Sequence, residues 1–572
     1  MPVKLLEVRD LSVSFESEGV SRNVVNSLYF SIDAGETLGI IGESGSGKSV
    51  SCMSILKLLG PYAKYKTGQI LWTEPEQKTT VDLLKLDEKS LRLIRGKKIS
   101  VIFQEPMSAL NPVLTCGFQI VEILAAHAIV PKSQYKTYTL KWFEKVGLKD
   151  TDRIYRSYPH QLSGGQLQRI LIAMALCTNP HIVIADEPTT ALDVTLQKKI
   201  LDLIQELKSE MGLSLIFISH DLSVIKNICN RIMVLKDGQM VETTTTQNLF
   251  SSSEQAYTRG LINSKPPLNV RLRRLPTVLD FLQGKPLSTF YDDSQVIHST
   301  EVDQKLLELN QKKAILDVQN LNVQYVIKKN LFGKITKSFD AVKNVSFQLR
   351  EGEVLGIVGE SGSGKSTIGR AILGLTQISS GVCHFMNKVL PEFNSSDWKP
   401  FRKELQIIFQ DPYSSLNPRK NVGEAITEPM MVHGILNSQK ERLTEATLML
   451  QKVGLEPSYL NRYPHQLSGG QRQRVCIARA LVLNPKVLVL DESVSALDVS
   501  VQAQTLNLLK SLKEEFGLSY LFITHDFSVV NFIADRIIVL KDGCIVEEGP
   551  TYQIIQNPKE EYTSQLIQSI PK

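Results

Sequence analysis

The octapeptide GESGSGKS occurs twice in this sequence: at Gly42, Glu43, Ser44, Gly45, Ser46, Gly47, Lys48 and Ser49, and again at Gly359, Glu360, Ser361, Gly362, Ser363, Gly364, Lys365 and Ser366, where Thr367 follows. Glycines at this spacing let backbone N–H groups turn inward around a phosphate. A helix starting at the Lys adds the positive potential of its N-terminus, and the Lys reaches the β and γ phosphates of a nucleotide. Ser49 and Ser366 then offer a hydroxyl to Mg²⁺, with Asp186 and Asp491 as acidic partners, directly or through water. Glu187 and Glu492, the next residues, are placed to polarise an attacking water, a role worth on the order of a hundred- to ten-thousand-fold in rate.

Three further pairs recur. His220 and His525 each follow an apolar run, which puts the imidazole at a sheet's carboxyl edge beside the γ-phosphate. Gln104 and Gln410 end a further apolar run, where an amide reaches the metal-water shell. The string LSGGQ brings Ser163, Gly164, Gly165 and Gln166 in the first half and Ser468, Gly469, Gly470 and Gln471 in the second. Its Ser N-caps a helix while its glycines expose N–H groups to a phosphate. The interval from Ser163 to His220 equals that from Ser468 to His525, so the chain is a tandem duplication.

These residues need strands that end at one edge. Short apolar runs precede the motifs at Leu38–Ile41, Ile182–Ala185 and Leu215–Ile218, then at Leu355–Val358, Val487–Leu490 and Tyr520–Ile523, as expected of strands buried on both faces. Helical patterns lie between them, at Gln166–Leu176 and Leu196–Glu210 for example, so each half reads as a parallel α/β sheet with crossover helices. Cys116–Tyr158 and Gly423–Tyr463 lack strand runs and read as a helical subdomain. The interval from Lys48 to Gln104 is longer than that from Lys365 to Gln410, and Trp72–Lys85 reads as a surface elaboration. The expected layout is a first domain over 1–263, a linker over 264–313 with one short helix at Asp303–Gln311, and a second domain over 314–572. The cluster Arg271–Arg274 in that linker reads as a solvated charge run.

Composition agrees with a large globular chain: 572 residues, 42% hydrophobic and 22% charged. A net charge of +6 over this length does not argue for nucleic acid. Seven Cys without a C-x-x-C pair encode neither a disulfide framework nor a local zinc or iron–sulfur site, which points to a reducing cytoplasm. No stretch approaches about 18 uncharged apolar residues, and the N-terminus carries no signal-peptide run, so no membrane crossing is expected.

With these motifs the chain resembles the ATP-binding cassette family over nearly its whole length: Walker A, Q-loop, LSGGQ signature, Walker B with its Glu, D-loop (Ala191–Asp193, Ala496–Asp498) and switch His all occur twice. It is similar more narrowly to the oligopeptide, dipeptide and nickel importer branch, through MSALNP (Met107–Pro112), YSSLNP (Tyr413–Pro418), YPHQLSGGQ, SALDVS (Ser495–Ser500) and AYTRGLI (Ala256–Ile262). The resemblance implies two P-loop nucleotide-binding domains, each a RecA-like parallel-sheet core with a helical subdomain. It also implies ATP and Mg²⁺ as ligands, with hydrolysis driving uptake of peptide, or of glutathione, nickel or microcin, through two membrane permease subunits fed by a substrate-binding protein. The chain would sit peripherally on the cytoplasmic face of a bacterial inner membrane, one per transporter, with its cassettes head to tail so that Lys48 shares a nucleotide with Ser468 and Lys365 with Ser163. Phe15 and Tyr325 align with the aromatic that stacks on adenine, and equally suit an opening hairpin as strand residues. The branch's cysteine-rich iron–sulfur segment has no counterpart in Ser264–Phe290. The rival is a two-cassette translation factor acting on ribosomes, whose long charged helical linker contrasts with Pro266, Pro267, Pro276 and Pro286 here.

Overall fold

The computed structural model describes residues 4–17, 20–76, 78–189, 193–329, 335–393, 395–495 and 497–570. They form two compact units, the first ending at Ile262 and the second running from Asn263 to Ile570.

In the first unit a six-stranded sheet has the spatial order Gln239–Thr245, Arg231–Lys236, Thr37–Ile41, Ser214–Ile218, Ile182–Asp186, Ile99–Ile102. All neighbours pair in parallel except the hairpin of the first two strands. The second unit repeats this order with Cys544–Pro550, Arg536–Lys541, Val354–Val358, Ser519–Ile523, Val487–Asp491 and Leu405–Ile408. The three central strands of each sheet are buried along their whole length, in keeping with their mostly apolar content. Strand and helix runs fall where the apolar pattern puts them. The crossover helix Val194–Met211 stops at Gly212 and its counterpart Val499–Phe516 at Gly517, each glycine being left-handed. Helices Cys116–Ala126, Tyr135–Lys145 and Thr151–Arg156 in the first unit, and Val422–Val432 and Gln439–Lys452 in the second, fill the two stretches without strand runs.

Each unit also holds an antiparallel sheet, of order Val20–Asp33, Lys4–Ser17, Ala63–Thr73, Thr80–Asp82 in the first and Ile335–Arg350, Ala314–Lys329, Ser380–Phe385, Lys388–Val389 in the second. The stretch Trp72–Lys85 is a surface elaboration in its middle, where residues 78–81 are exposed, but not toward its ends. Trp72 pairs with Leu6 across the ladder and is buried, and Leu83 is buried beside it.

Residues 264–313, expected as a linker, pack on the second unit. Leu272 and Leu275 join its core, Asn507 exchanges two 2.9 Å bonds with the Leu275 backbone, and Asn531 donates to the carbonyls of Pro267, Leu268 and Val270. The segment holds helices Val278–Leu282, Ser288–Tyr291 and Ser299–Gln311, the last longer than the predicted Asp303–Gln311. Arg271–Arg274 is a solvated run only in part, since Arg273 and Arg274 are exposed yet all three arginines face carboxylates. Arg271 is partly buried 3.7 Å from Asp535, Arg273 pairs with Glu301 at 2.5 Å and Arg274 with Asp280 at 2.9 Å. The carboxylates that neutralise the cluster lie outside it in sequence, which local charge patterning does not register.

Candidate functional site

Both octapeptides form a loop between a central strand and a helix: Thr37–Ile41 into Lys48–Ile55, and Val354–Val358 into Lys365–Ile372. Gly47 and Gly364 cap these helices in the left-handed region, at φ 97° and 104°. A Cβ there would stand 3.0 Å from Val24 O and 2.4 Å from Ala341 O, so only glycine lets the loop close over the strand. Lys48 Nζ donates to Gly42 O at 2.8 Å and Glu43 O at 2.9 Å, and Lys365 Nζ to Gly359 O and Glu360 O at 2.8 and 2.7 Å. Each ammonium thus spans the mouth of its own loop. Among the described residues the buried hydroxyls of Ser46 and Ser363 have no hydrogen-bond partner, leaving one unmet polar group in each cradle.

Strands Ile182–Asp186 and Val487–Asp491 bring the acidic pair to the same edge. Ser49 Oγ donates to Asp186 at 3.1 Å and Ser366 Oγ to Asp491 at 2.6 Å. Burial raises both aspartates above the ordinary carboxylate range, against the pull of the serine bond. Hydroxyl and carboxylate oxygens converging in this way form a hard donor set suited to Mg²⁺. Gln104 Nε2 and His220 Nδ1 both meet Glu187 Oε2, at 2.9 and 3.0 Å. In the second unit Gln410 Nε2 lies 2.9 Å and His525 Nδ1 3.5 Å from Glu492 Oε2. Burial works against charge on either member of the Glu492–His525 pair. Their mutual attraction outweighs it, lowering the pKa of Glu492 and raising that of His525. Two groups far apart in sequence, an amide and an imidazole, therefore meet at one carboxylate in each unit.

Ser163 and Ser468 cap helices Gly164–Leu176 and Gly469–Leu481 through reciprocal boxes with Gln166 and Gln471. Gly165 and Gly470 sit where a Cβ would run 2.5 Å from Leu196 and 2.4 Å from Val501. Phe15 is half-buried against the antiparallel sheet's core, whereas Tyr325 is exposed with its hydroxyl 3.5 Å from Thr367 Oγ1, beside the second cradle. Of the expected D-loops, Ala191, Leu192 and Ala496 lie outside the described residues. Asp193 and Leu497 are described, and Asp193 caps the crossover helix through the Leu196 N–H.

The sequence family described as ABC transporter matches residues 25–190 and 342–495. The chain belongs to the ABC transporter ATPases. A second family, the oligopeptide/dipeptide transporter C-terminal region, matches 241–286 and 546–572. The chain is 41% identical to the glutathione import ATP-binding protein GsiA of Pectobacterium atrosepticum, over 99% of this chain and 90% of that protein. It is 40% identical to GsiA of Escherichia coli K12, over 99% and 89%. Among solved structures it is similar to the dimeric post-hydrolysis ATP-binding cassette MJ0796 bound to ADP and Pi, at 33% identity over 41% of this chain and 98% of that one, with a TM-score of 0.38. The two C-terminal regions hold site residues that motif reading passed over. Tyr257 OH accepts the Glu43 N–H at 3.2 Å, and Tyr562 OH accepts the Glu360 N–H at 3.3 Å. Lys236 and Lys541 lie over these two rings, 5.1 and 4.7 Å from their centroids. AYTRGLI contains the first of these tyrosines, and its likeness to EYTSQLI, at 561–567, is the signal in the sequence.

Proposed function

We propose that this ATPase powers the uptake of small peptides, with glutathione, itself a tripeptide, as the member to test first, through two separate membrane permeases served by a substrate-binding protein. The observation that carries this reading is the match to glutathione import ATP-binding proteins over 99% of the chain, in a sequence holding both site sets. The match to the oligopeptide/dipeptide C-terminal region favours it over a ribosomal factor. Among the described residues no helix is long and apolar enough to cross a membrane. The proposed place is peripheral, on the cytoplasmic face of a bacterial inner membrane.

In each cassette the glycine loop holds the β and γ phosphates, and Lys48 or Lys365 exchanges its loop carbonyls for phosphate oxygens. Ser49 with Asp186, and Ser366 with Asp491, would hold Mg²⁺ with help from Gln104 and Gln410, and the ion would offset phosphate charge. Glu187 and Glu492 accept a proton from the water that attacks the γ-phosphorus, while His220 and His525 hold those carboxylates in place. Phe15 and Tyr325 would face the adenine. We place the cassettes head to tail, so that the capped helix at Ser468 completes the Lys48 site and that at Ser163 the Lys365 site. ATP-dependent crosslinking between cysteines at Gly45 and Ser468, in a chain freed of native Cys, tests this pairing, and efficient Gly45 to Ser163 crosslinking would refute it. For the transport role, uptake of labelled glutathione, peptides and Ni²⁺ is compared in strains with and without the gene. Loss of glutathione and peptide uptake supports the proposal, and loss confined to Ni²⁺ overturns it.

A further inference from the structure

The two signature helices carry different side chains where they approach the segment that follows the Q-loop glutamine. In the second unit Arg472 donates from Nε to Pro464 O and from Nη2 to Leu467 O, both at 2.9 Å, and its guanidinium lies over the Tyr413 ring, 5.0 Å from the centroid. Further along the same helix Arg479 donates to Ser415 O. Asp411 accepts from Tyr413 N and Ser414 N at 2.8 and 3.1 Å. The short helix Pro412–Ser415 is therefore held at both ends and through its ring. The first unit differs at every one of these points. Leu167 and Met174 stand where the arginines are, with no N–H to donate, Met107 replaces Tyr413, and Glu105 makes no side-chain cap on Pro106–Ala109. That unit ties the segment further on, where Gln119 accepts from Asn111 N at 2.9 Å and donates to the carbonyls of Asn111 and Leu114 at 3.0 and 3.2 Å.

Gln410 adjoins Asp411 and donates to Glu492, and Arg472 lies in the first turn of the helix that Ser468 caps. We propose that Arg472 is a positioning residue for hydrolysis in the second cassette: through Tyr413 it locks the segment carrying Gln410 to the Ser468 helix, so that Gln410 and Glu492 shift with that helix, a lock the first cassette lacks. The inference rests on the roles proposed above for Glu187 and Glu492. The two cassettes then share their reacting groups and differ in how those groups are carried. A displacement of about 1 Å at reacting groups costs on the order of a hundred-fold in rate, so a partial release is expected to be visible in turnover.

The test uses the full chain in a Glu187→Gln background, where hydrolysis reports the second cassette, with ATP affinity and single-turnover rate measured separately. Arg472→Leu and Tyr413→Met are each expected to slow hydrolysis on the order of ten-fold at unchanged ATP affinity. The double variant is expected to be no slower than Arg472→Leu alone, because that variant has already lost the ring contact that Tyr413→Met removes. Tyr413→Phe, which keeps the ring, retains the parent rate, and Arg472→Lys recovers part of it. In the opposite background, Glu492→Gln, the pair Leu167→Arg with Met107→Tyr is expected to raise the first cassette's rate. A loss of less than about two-fold in Arg472→Leu, additive losses in the double variant, or a fall in ATP affinity that accounts for the rate loss overturns the proposal. A chain with both Glu187→Gln and Glu492→Gln that hydrolyses at the wild-type rate refutes the base assignment instead, so the two failures are told apart.

Discussion

The ammonium of Lys305 stands 2.7 Å from the carboxylate of Asp535, which is almost wholly buried and accepts the Val354 N–H at 3.0 Å through its other oxygen. In the first unit Asn230 accepts the corresponding bond, from Thr37 N at 2.8 Å, with a neutral amide. The charge at 535 is therefore not needed by the strand. It answers Lys305 and Arg271, both from the segment once read as a linker. Burial pushes the Asp535 carboxyl up, and these two cations more than reverse that, holding it below the usual carboxylate range.

Asp535→Asn keeps the strand bond and removes the charge, leaving the partly buried Arg271 without its counter-ion. Losing one member of a buried ion pair typically costs about 3–5 kcal/mol, with the lower end expected here because Lys305 reaches solvent. A group whose folded pKa is depressed stabilises the fold above its ordinary value and loses that contribution as pH falls through the folded one. The wild type should therefore lose stability progressively below about pH 4, and the Asn variant should show a flatter acid limb. Thermal unfolding of both chains across pH 3–7, with proteolysis of residues 283–298 as a local probe, checks both statements.

Lys48→Ala and Lys365→Ala each remove a cation that has two charge-assisted bonds to hand over to phosphate. ATP affinity at the altered cassette is expected to fall about ten- to hundred-fold. Nucleotide titration of each variant reads this directly, and an unchanged affinity at either site contradicts the cradle assignment.

Glu492→Gln leaves the loop, Ser366 and Asp491 intact. ATP binding should survive while single-turnover hydrolysis at that cassette slows on the order of a hundred- to ten-thousand-fold. Parallel losses of affinity and rate would point to a structural role for the carboxylate.

Tyr257→Phe and Tyr562→Phe test the tie between each C-terminal region and its cradle. Each variant withdraws one acceptor from a loop N–H while keeping the ring. A rise of roughly two- to ten-fold in the KM for ATP is expected, with kcat little changed. A fall in kcat at constant KM would place these hydroxyls in the chemistry instead.

The sheets and cradles were legible because their signals are local. A strand buried on both faces must be an apolar run, and a loop that wraps phosphate must carry glycine at fixed steps, so Leu38–Ile41 and Gly42–Ser49 announce themselves. The antiparallel sheets were less visible, since Lys4–Ser17 and Ala63–Thr73 mix polar and apolar residues around register shifts at Ser12 and Val13. The packed segment 264–313 was misread for a related reason: prolines and arginines look solvated until the carboxylates that face them are known, and Asp535 is remote in sequence. Tyr257 and Tyr562 escaped because a tyrosine whose hydroxyl accepts a backbone N–H leaves no spacing rule behind.

Glu187 and Glu492 both hold φ at 45°, a left-handed backbone that residues with a Cβ adopt at a cost of about 1–2 kcal/mol. Glycine would relax each position. On the proposed role of these two carboxylates as bases, breeding this protein for heat resistance alone, by survival of the fold after warming, would have a built-in direction of error: it would reward glycine at 187 and 492 and deliver a hardier chain that still holds ATP and no longer turns it over.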